Sequence, residues 1–291
     1  MHIPVLLKEV IKIFDPKPNQ NYIDCTLGGG GHTLEILKKT SPRGKVLGLD
    51  LSLQAIEKLE EYKKHHKDIS KRLIIAHENF SKLKEIVKEK DFQPVHGILF
   101  DFGLSTDLLE KSSRGFTFMK DEPLDMRFDA KNQTLTAKNI INKYSEKELE
   151  DLFKKYGGEK WSYKIARQIV KAREKKEIST TQELRNIIES SLGYRFHIKS
   201  LARIFQALRI QVNNELENIQ NGLSQGFTVL KKGGKIIAIS YHSLEDKIVK
   251  DYFKENTKLE PVFKKPITPT REEVQDNNKA RSAKLRVAYK K

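Results

Sequence analysis

The sequence predicts an α/β fold: a mostly parallel, doubly wound sheet with an inserted helical domain. Three observations carry this reading. Strand-like and helix-like patterns alternate four times between residues 22 and 103. The second and fourth strand candidates end in acids, Asp50 and Asp101, and the first runs into four consecutive glycines, Gly28–Gly31. After Gly103 the alternation stops, and about a hundred residues read as loop and helix, far longer than an ordinary connection.

Val5, Leu6, Leu7, Val10, Ile11 and Phe14 recur at helical spacing and predict a lead-in helix stopped before Pro16. Tyr22–Leu27 reads as a strand and the glycines as a turn, with Leu34, Ile36 and Leu37 forming the face of the next helix. Lys45–Asp50 is the second strand, followed by Ser52 as the N-cap of a helix carrying Leu53, Ile56, Leu59 and Tyr62. Leu73–Ala76 is the third strand, after which Ser81 is expected to cap a short helix. Val95–Gly103 is the fourth.

In the insertion, Ser145 with Glu148 and Thr180 with Glu183 have capping-box spacing. Residues 159–176 form a helix between them, with Trp161, Ile165 and Ile169 on its apolar face. Apolar residues from Phe205 to Leu230 predict one long helix back to the sheet, ended by Gly233 and Gly234. Lys235–Tyr241 is a fifth strand, and Ser243 with Asp246 fits the cap of the helix after it. Pro261–Lys265 and Lys284–Tyr289 are further strand candidates, separated by a polar loop. The expected division is residues 1–105 with 209–291 for the sheet and 106–208 for the insertion.

The chain carries 55 Lys and Arg against 39 Asp and Glu, a net charge of +16. Only +3 of this lies in residues 1–103; the rest is spread over the insertion and the C-terminal part, a distribution that suits a polyanion. A single cysteine, Cys25, excludes an intrachain disulfide framework and a multi-cysteine zinc site. No apolar run reaches membrane-spanning length, and Met1–Pro4 does not begin a secretory signal, so a cytoplasmic protein is expected. No histidines or acids have metal-ligand spacing, and no metal is expected.

Ligands of such sheets bind beyond the carboxyl ends of the strands, where Gly28–His32, Asp50, Phe80 and Asp101 fall. A glycine turn lets backbone N–H groups approach a ligand, and an acid about 20 residues on suits ribose hydroxyls. Thr33 stands where a dinucleotide fingerprint needs a small third residue, and Asp24 precedes the glycines, placed to meet a cationic group. The pattern favours S-adenosylmethionine over a nicotinamide cofactor. Asp101 sits where such an enzyme places its methyl acceptor, and His242, after the fifth strand, is a candidate to orient or deprotonate it. Arg114, Phe116, Phe118, Met126 and Arg127 fit either an RNA grip or ordinary packing at a hinge. Lys160, Lys164, Arg167 and Lys171 form a basic stripe suited to phosphates.

Several stretches together are far more specific: His2–Val10, Tyr22–His32, Arg114–Phe118 with Pro123–Arg127, Phe205–Leu216, Ser240–Val249 and Arg281–Arg286. On these the chain resembles, from end to end, the bacterial 16S ribosomal RNA cytosine-N4 methyltransferases. The resemblance implies a class I (Rossmann-like) methyltransferase fold and transfer of a methyl group from S-adenosylmethionine to N4 of a decoding-centre cytidine. It places cofactor contacts at Gly30, Gly31, His32, Asp50, Phe80 and Asp101. For catalysis, Asp101 and His242 are the candidates to accept hydrogen bonds from the amine. Leu108 departs from the family, whose members commonly carry a cofactor-contacting glutamine there; adjacent Asp107 is the candidate replacement. The rivals are a methyltransferase for another substrate and a non-catalytic rRNA-binding assembly factor.

Overall fold

The computed structural model describes residues 4–104, 108–109, 112–196 and 198–291. Its strands are β1 Tyr22–Asp24, β2 Val46–Asp50, β3 Leu73–His77, β4 Val95–Asp101, β5 Leu230–Ser240, β6 Leu259–Pro261 and β7 Lys284–Lys290. They pair in the order β3-β2-β1-β4-β5-β7-β6, parallel from β3 to β5, with β7 antiparallel to both β5 and β6. Parallel strands are covered on both faces, which is why Ile23, Leu47, Ile98, Leu99 and Ile237 are all fully buried. One apolar layer joins Leu47, Ile98 and Ile236 to Ile219 and Leu223. The other joins Leu99 and Ile237 to Val10, Ile36 and Leu37.

The chain divides into two compact units, Met1–Gly103 with Leu216–Lys291, and Leu104–Glu215. The first holds the sheet and helices α1 Leu7–Phe14, α2 Gly31–Thr40, α3 Leu53–His65, α4 Lys67–Arg72 and α5 Leu83–Glu89. The second is helical: α6 Ala137–Lys143, α7 Glu146–Gly157, α8 Ser162–Arg173, α9 Thr181–Leu192 and α10 Ile198–Asn213 surround Ile140, Phe153, Ile165, Ile188, Leu201 and Leu208. The capping boxes at Ser145/Glu148 and Thr180/Glu183 form in both directions. Among the described residues no helix is long and apolar enough to cross a membrane.

The long helix expected from Phe205 to Leu230 is two. It breaks at Asn214, which adopts φ 49°, so α10 ends and α11 Glu215–Val229 begins. Arg209 grips Glu215 through two hydrogen bonds of 2.7 and 3.0 Å across the break. The second unit therefore runs to Glu215, past the expected boundary at 208. β5 starts at Leu230 and takes in Gly233 and Gly234, which were expected before it.

Other local expectations are corrected by side-chain geometry. Asn79, not Ser81, caps the turn before α5, accepting the Ser81 N–H at 2.9 Å. The polar loop before β7 contains a short helix, Arg271–Asp276, capped by Thr270. Trp161 precedes α8 and is 39% exposed, whereas Ile165 and Ile169 are buried. In the loop of the second unit, Arg114 donates to the carbonyls of Arg127 and Phe128, and Arg127 pairs with Asp125. Phe116 stacks on Phe128. These arginines and aromatics hold the loop together.

Candidate active site

The glycine turn is built by β2 as much as by β1. Asp50, at the end of β2, accepts the Gly28 N–H on one carboxylate oxygen at 2.7 Å and the Ser52 N–H on the other at 2.8 Å. Gly30 donates to the Leu27 carbonyl at 2.8 Å and adopts φ 76° as α2 begins. A Cβ on Gly30 would lie 2.7 Å from Leu59 Cδ2, so both the turn and the packing call for glycine there. Gly31 begins α2 against Pro4. With the Leu51 N–H as a third backbone donor, the Asp50 carboxylate still keeps a lone pair for a ligand.

At the end of β1, Asp24 accepts the Thr33 hydroxyl at 2.7 Å and the Thr26 N–H at 3.2 Å. Thr26 Oγ1 in turn accepts the Asp101 N–H at 2.8 Å, so the ends of β1 and β4 are joined by one side chain. Asp101 Oδ1 accepts the Tyr241 hydroxyl at 2.8 Å. Tyr241 follows β5, and its own N–H donates to the buried Glu245 carboxylate at 2.7 Å, as does that of His242 at 3.2 Å.

Glu245 belongs to α12 Ser243–Glu255, whose N-cap is His242 rather than Ser243. His242 Nδ1 accepts the Glu245 N–H at 3.4 Å. With Nδ1 accepting, a neutral ring carries its proton on Nε2. That buried Nε2 lies 3.1 Å from Glu245 Oε1 but off the line a hydrogen bond needs, and among the described residues it has no hydrogen-bond partner.

Burial raises the carboxyls of Asp24, Asp50 and Asp101 above their ordinary range. For Asp101, burial comes first; positive charge on His32 and the Tyr241 hydrogen bond pull it down, and the Asp24 charge pushes it up. A raised acid favours the protonated form in the folded chain. Its stabilising contribution is present below the ordinary carboxylate range and lost as pH rises through the raised value. At neutral pH these acids work against the fold, a pattern that marks groups kept for chemistry.

The expected residues separate into three groups. Gly30, Gly31, Asp50 and Asp101 lie at the carboxyl edge of the sheet. The His32 imidazole is buried, 3.0 Å from the Val5 carbonyl, so its ring is engaged with the lead-in segment. Phe80 packs edge-on against Phe100 and tilted against Phe102. Leu108 is buried in the core of the helical unit, and Asp107 lies outside the described residues. Tyr241, Thr26 and Glu245 were not singled out from sequence; the signal for Tyr241 was its place one residue beyond a strand adjacent to β4.

The donor set fits S-adenosylmethionine. Three carboxylates stand at or beside the glycine turn and the β4 end, and residues 24–33 contain no Lys or Arg. Such an edge suits a ligand with a sulfonium and an ammonium group and opposes a pyrophosphate.

The sequence pattern of the MraW methylase family matches residues 1–291. The chain belongs to this family. Ribosomal RNA small subunit methyltransferase H of Caldicellulosiruptor saccharolyticus is 44% identical over a gapped alignment of 308 positions, covering 99% of each chain. The protein of that name from Persephonella marina is 44% identical over 293, covering 99% of this chain and 98% of its own. A Streptococcus mutans protein solved in complex with SAH superposes with TM-score 0.50 at 12% identity, covering 100% of both chains, a likeness of fold. The fold is the class I methyltransferase fold, and the family's donor is S-adenosylmethionine.

Proposed function

We propose that this chain is a cytoplasmic enzyme that transfers a methyl group from S-adenosylmethionine to N4 of a cytidine in the decoding centre of 16S rRNA. The observation that carries the reading is end-to-end identity with proteins named for methylation of small-subunit rRNA, joined to a carboxylate-lined sheet edge.

When bound, S-adenosylmethionine supplies an electrophilic methyl group on a positively charged sulfur. The glycine turn and Asp50 would hold its adenosine end, and Asp101 would face the reacting end. The exocyclic amine of cytosine is a poor nucleophile, because its lone pair is delocalised into the ring. Catalysis therefore rests on holding that amine in line and stabilising the positive charge that grows on N4. Asp101 is suited to both: Tyr241 and the Gly103 N–H hold its carboxyl, which keeps lone pairs to accept an N–H of the amine. His242 presents Nε2–H, a donor, so it orients the base rather than taking its proton. Target cytosine must leave its stack to arrive there.

The helical unit supplies contacts for the RNA. Lys160, Lys164, Arg167 and Lys171 are exposed along or beside α8. Arg195 lies over the rings of Trp161 at 5.3 Å and Tyr194 at 5.1 Å, with Tyr194 90% exposed, a platform for unpaired bases.

The test is transfer from labelled S-adenosylmethionine to small subunits lacking the modification, followed by nucleoside analysis. N4-methylcytidine, or its 2′-O-methylated form, is the expected product; donor binding without transfer to rRNA would reject the substrate assignment. A pH profile follows from the site. Because burial raises the Asp101 carboxyl, the acid limb of kcat/KM should lie above the ordinary carboxylate range. Tyr241→Phe removes a donor that favours the charged form, so the limb should move to higher pH by about one unit. An unmoved limb would mean that Asp101 does not set it.

A further inference from the structure

The closing motif Arg281–Arg286 splits into two roles. Its far end is structural: Arg286 grips Asp246 of α12 through two hydrogen bonds of 2.6 and 3.1 Å. Its near end lines a cavity of about 290 Å³ together with residues that follow β5. Arg281, Ser282 and Lys284 contribute from one side, Thr268 from the segment before α13 (Arg271–Asp276), and His242 and Ser243 from the start of α12. Tyr241 also lines it, and Tyr241 is the residue that holds Asp101.

Nearly every polar group in this lining is a donor. Arg281 is exposed and makes no ion pair among the described residues. Lys284 hydrogen-bonds Asp246 at 3.4 Å and shares that carboxylate with Arg286, so the three side chains together keep one net positive charge. Of the other acids near Tyr241, Glu245 is buried and turned to the Tyr241 and His242 amides, Asp101 accepts the Tyr241 hydroxyl, and Glu273 accepts the Leu6 amide. The amides of Glu245 and Asp246 are taken by His242, leaving those of Ser243 and Leu244 without a partner among the described residues. Two cations, three hydroxyls besides that of Tyr241 and the first turn of a thirteen-residue helix thus surround one hollow.

We propose that this cavity is a phosphate subsite, holding a backbone phosphodiester of the substrate RNA beside the nucleotide being methylated. The assignment rests on the rRNA reading above. A flipped-out base must be presented at a fixed distance from its own backbone, and a clamp on a neighbouring phosphate sets that distance without reading sequence. Arg281 is the phosphate contact best exposed to test, since it carries no structural hydrogen bond among the described residues.

In Arg281→Gln, KM for small subunits should rise about tenfold, with kcat held within about twofold and S-adenosylmethionine affinity unchanged. The slope of log affinity against log salt should fall by about one, and Arg281→Lys should restore it. An unchanged KM and slope would overturn the proposal. A short single-stranded RNA, bound without methyl donor, is measured in parallel. If wild-type protein methylates no rRNA, the functional reading fails; an Arg281-dependent slope with the short RNA then keeps the subsite, and its absence removes it. Inorganic phosphate, read by its effect on Tm, covers the free anion: protection lost in Arg281→Gln while both RNA readouts stay unchanged also overturns the RNA assignment.

Discussion

Asp101→Ala should lower single-turnover methyl transfer to small subunits by about 10²–10³-fold, the range seen when one preorganised partner of a developing charge is removed. Its two anchors explain why the fold should survive. The hydrogen bond to Thr26 is made by the Asp101 backbone N–H and remains in the variant. The Tyr241 hydroxyl loses its acceptor, but the backbone at Tyr241 stays tethered through its N–H to Glu245. The raised carboxyl also means that its removal relieves a destabilising charge at neutral pH. Melting temperature should therefore hold or rise while kcat collapses. Asp101→Asn, which keeps an acceptor oxygen but not the charge, should fall between the two. Near-wild-type transfer by Asp101→Ala, with donor affinity unchanged, would remove this residue from the mechanism.

The largest expected loss of stability is in the helical unit, at Gly115. It adopts φ 75°, and a Cβ there would lie 2.4 Å from the Pro123 carbonyl oxygen. That oxygen belongs to backbone and cannot swing aside, for Pro123 bridges to Thr180 and Gly115 itself donates to Glu122 at 2.9 Å. Gly115→Ala should cost about 2–4 kcal/mol, summing the left-handed strain and the steric conflict. Gly158→Ala is the natural comparison: φ is 62°, but no atom lies within 4 Å of the added Cβ. Its cost should be about 1 kcal/mol, from strain alone. Calorimetric unfolding of both variants checks this, and equal losses would mean that the loop around Pro123 yields freely.

What could be foreseen was local. Strand ends, the glycine turn and the reciprocal caps at Ser145 and Thr180 are written within a few neighbouring residues, and the chain folds as they indicate. The break at Asn214 was hidden because apolar periodicity continues across it; only the backbone angle of one residue and the Arg209–Glu215 pair interrupt the helix. His242 was passed over as a cap because serine and aspartate are commoner there, yet its ring nitrogen serves the same end. In the site, Asp50 and Asp101 were legible as strand-end acids. Their partners were not, because Tyr241 meets Asp101 across 140 residues of sequence, through the pairing of β4 with β5.

The place of β7 governs how the chain can be assembled as it is made. The strand synthesised last among the seven lies inside the sheet, bonded to β5 on one side and β6 on the other. Until residues 284–290 emerge, β5 presents an unpaired edge and β6 has no strand to pair with, an exposure that invites mispairing. The helical unit is contiguous and already complete by then, so it can form while the methyl-transfer site cannot. Arg286 and Lys284 arrive on that same strand, and with them the partners of Asp246 on α12. The sheet edge proposed for catalysis thus closes in the final step of folding, and a nascent chain halted before residue 284 should hold a native helical insertion and an open, inactive sheet.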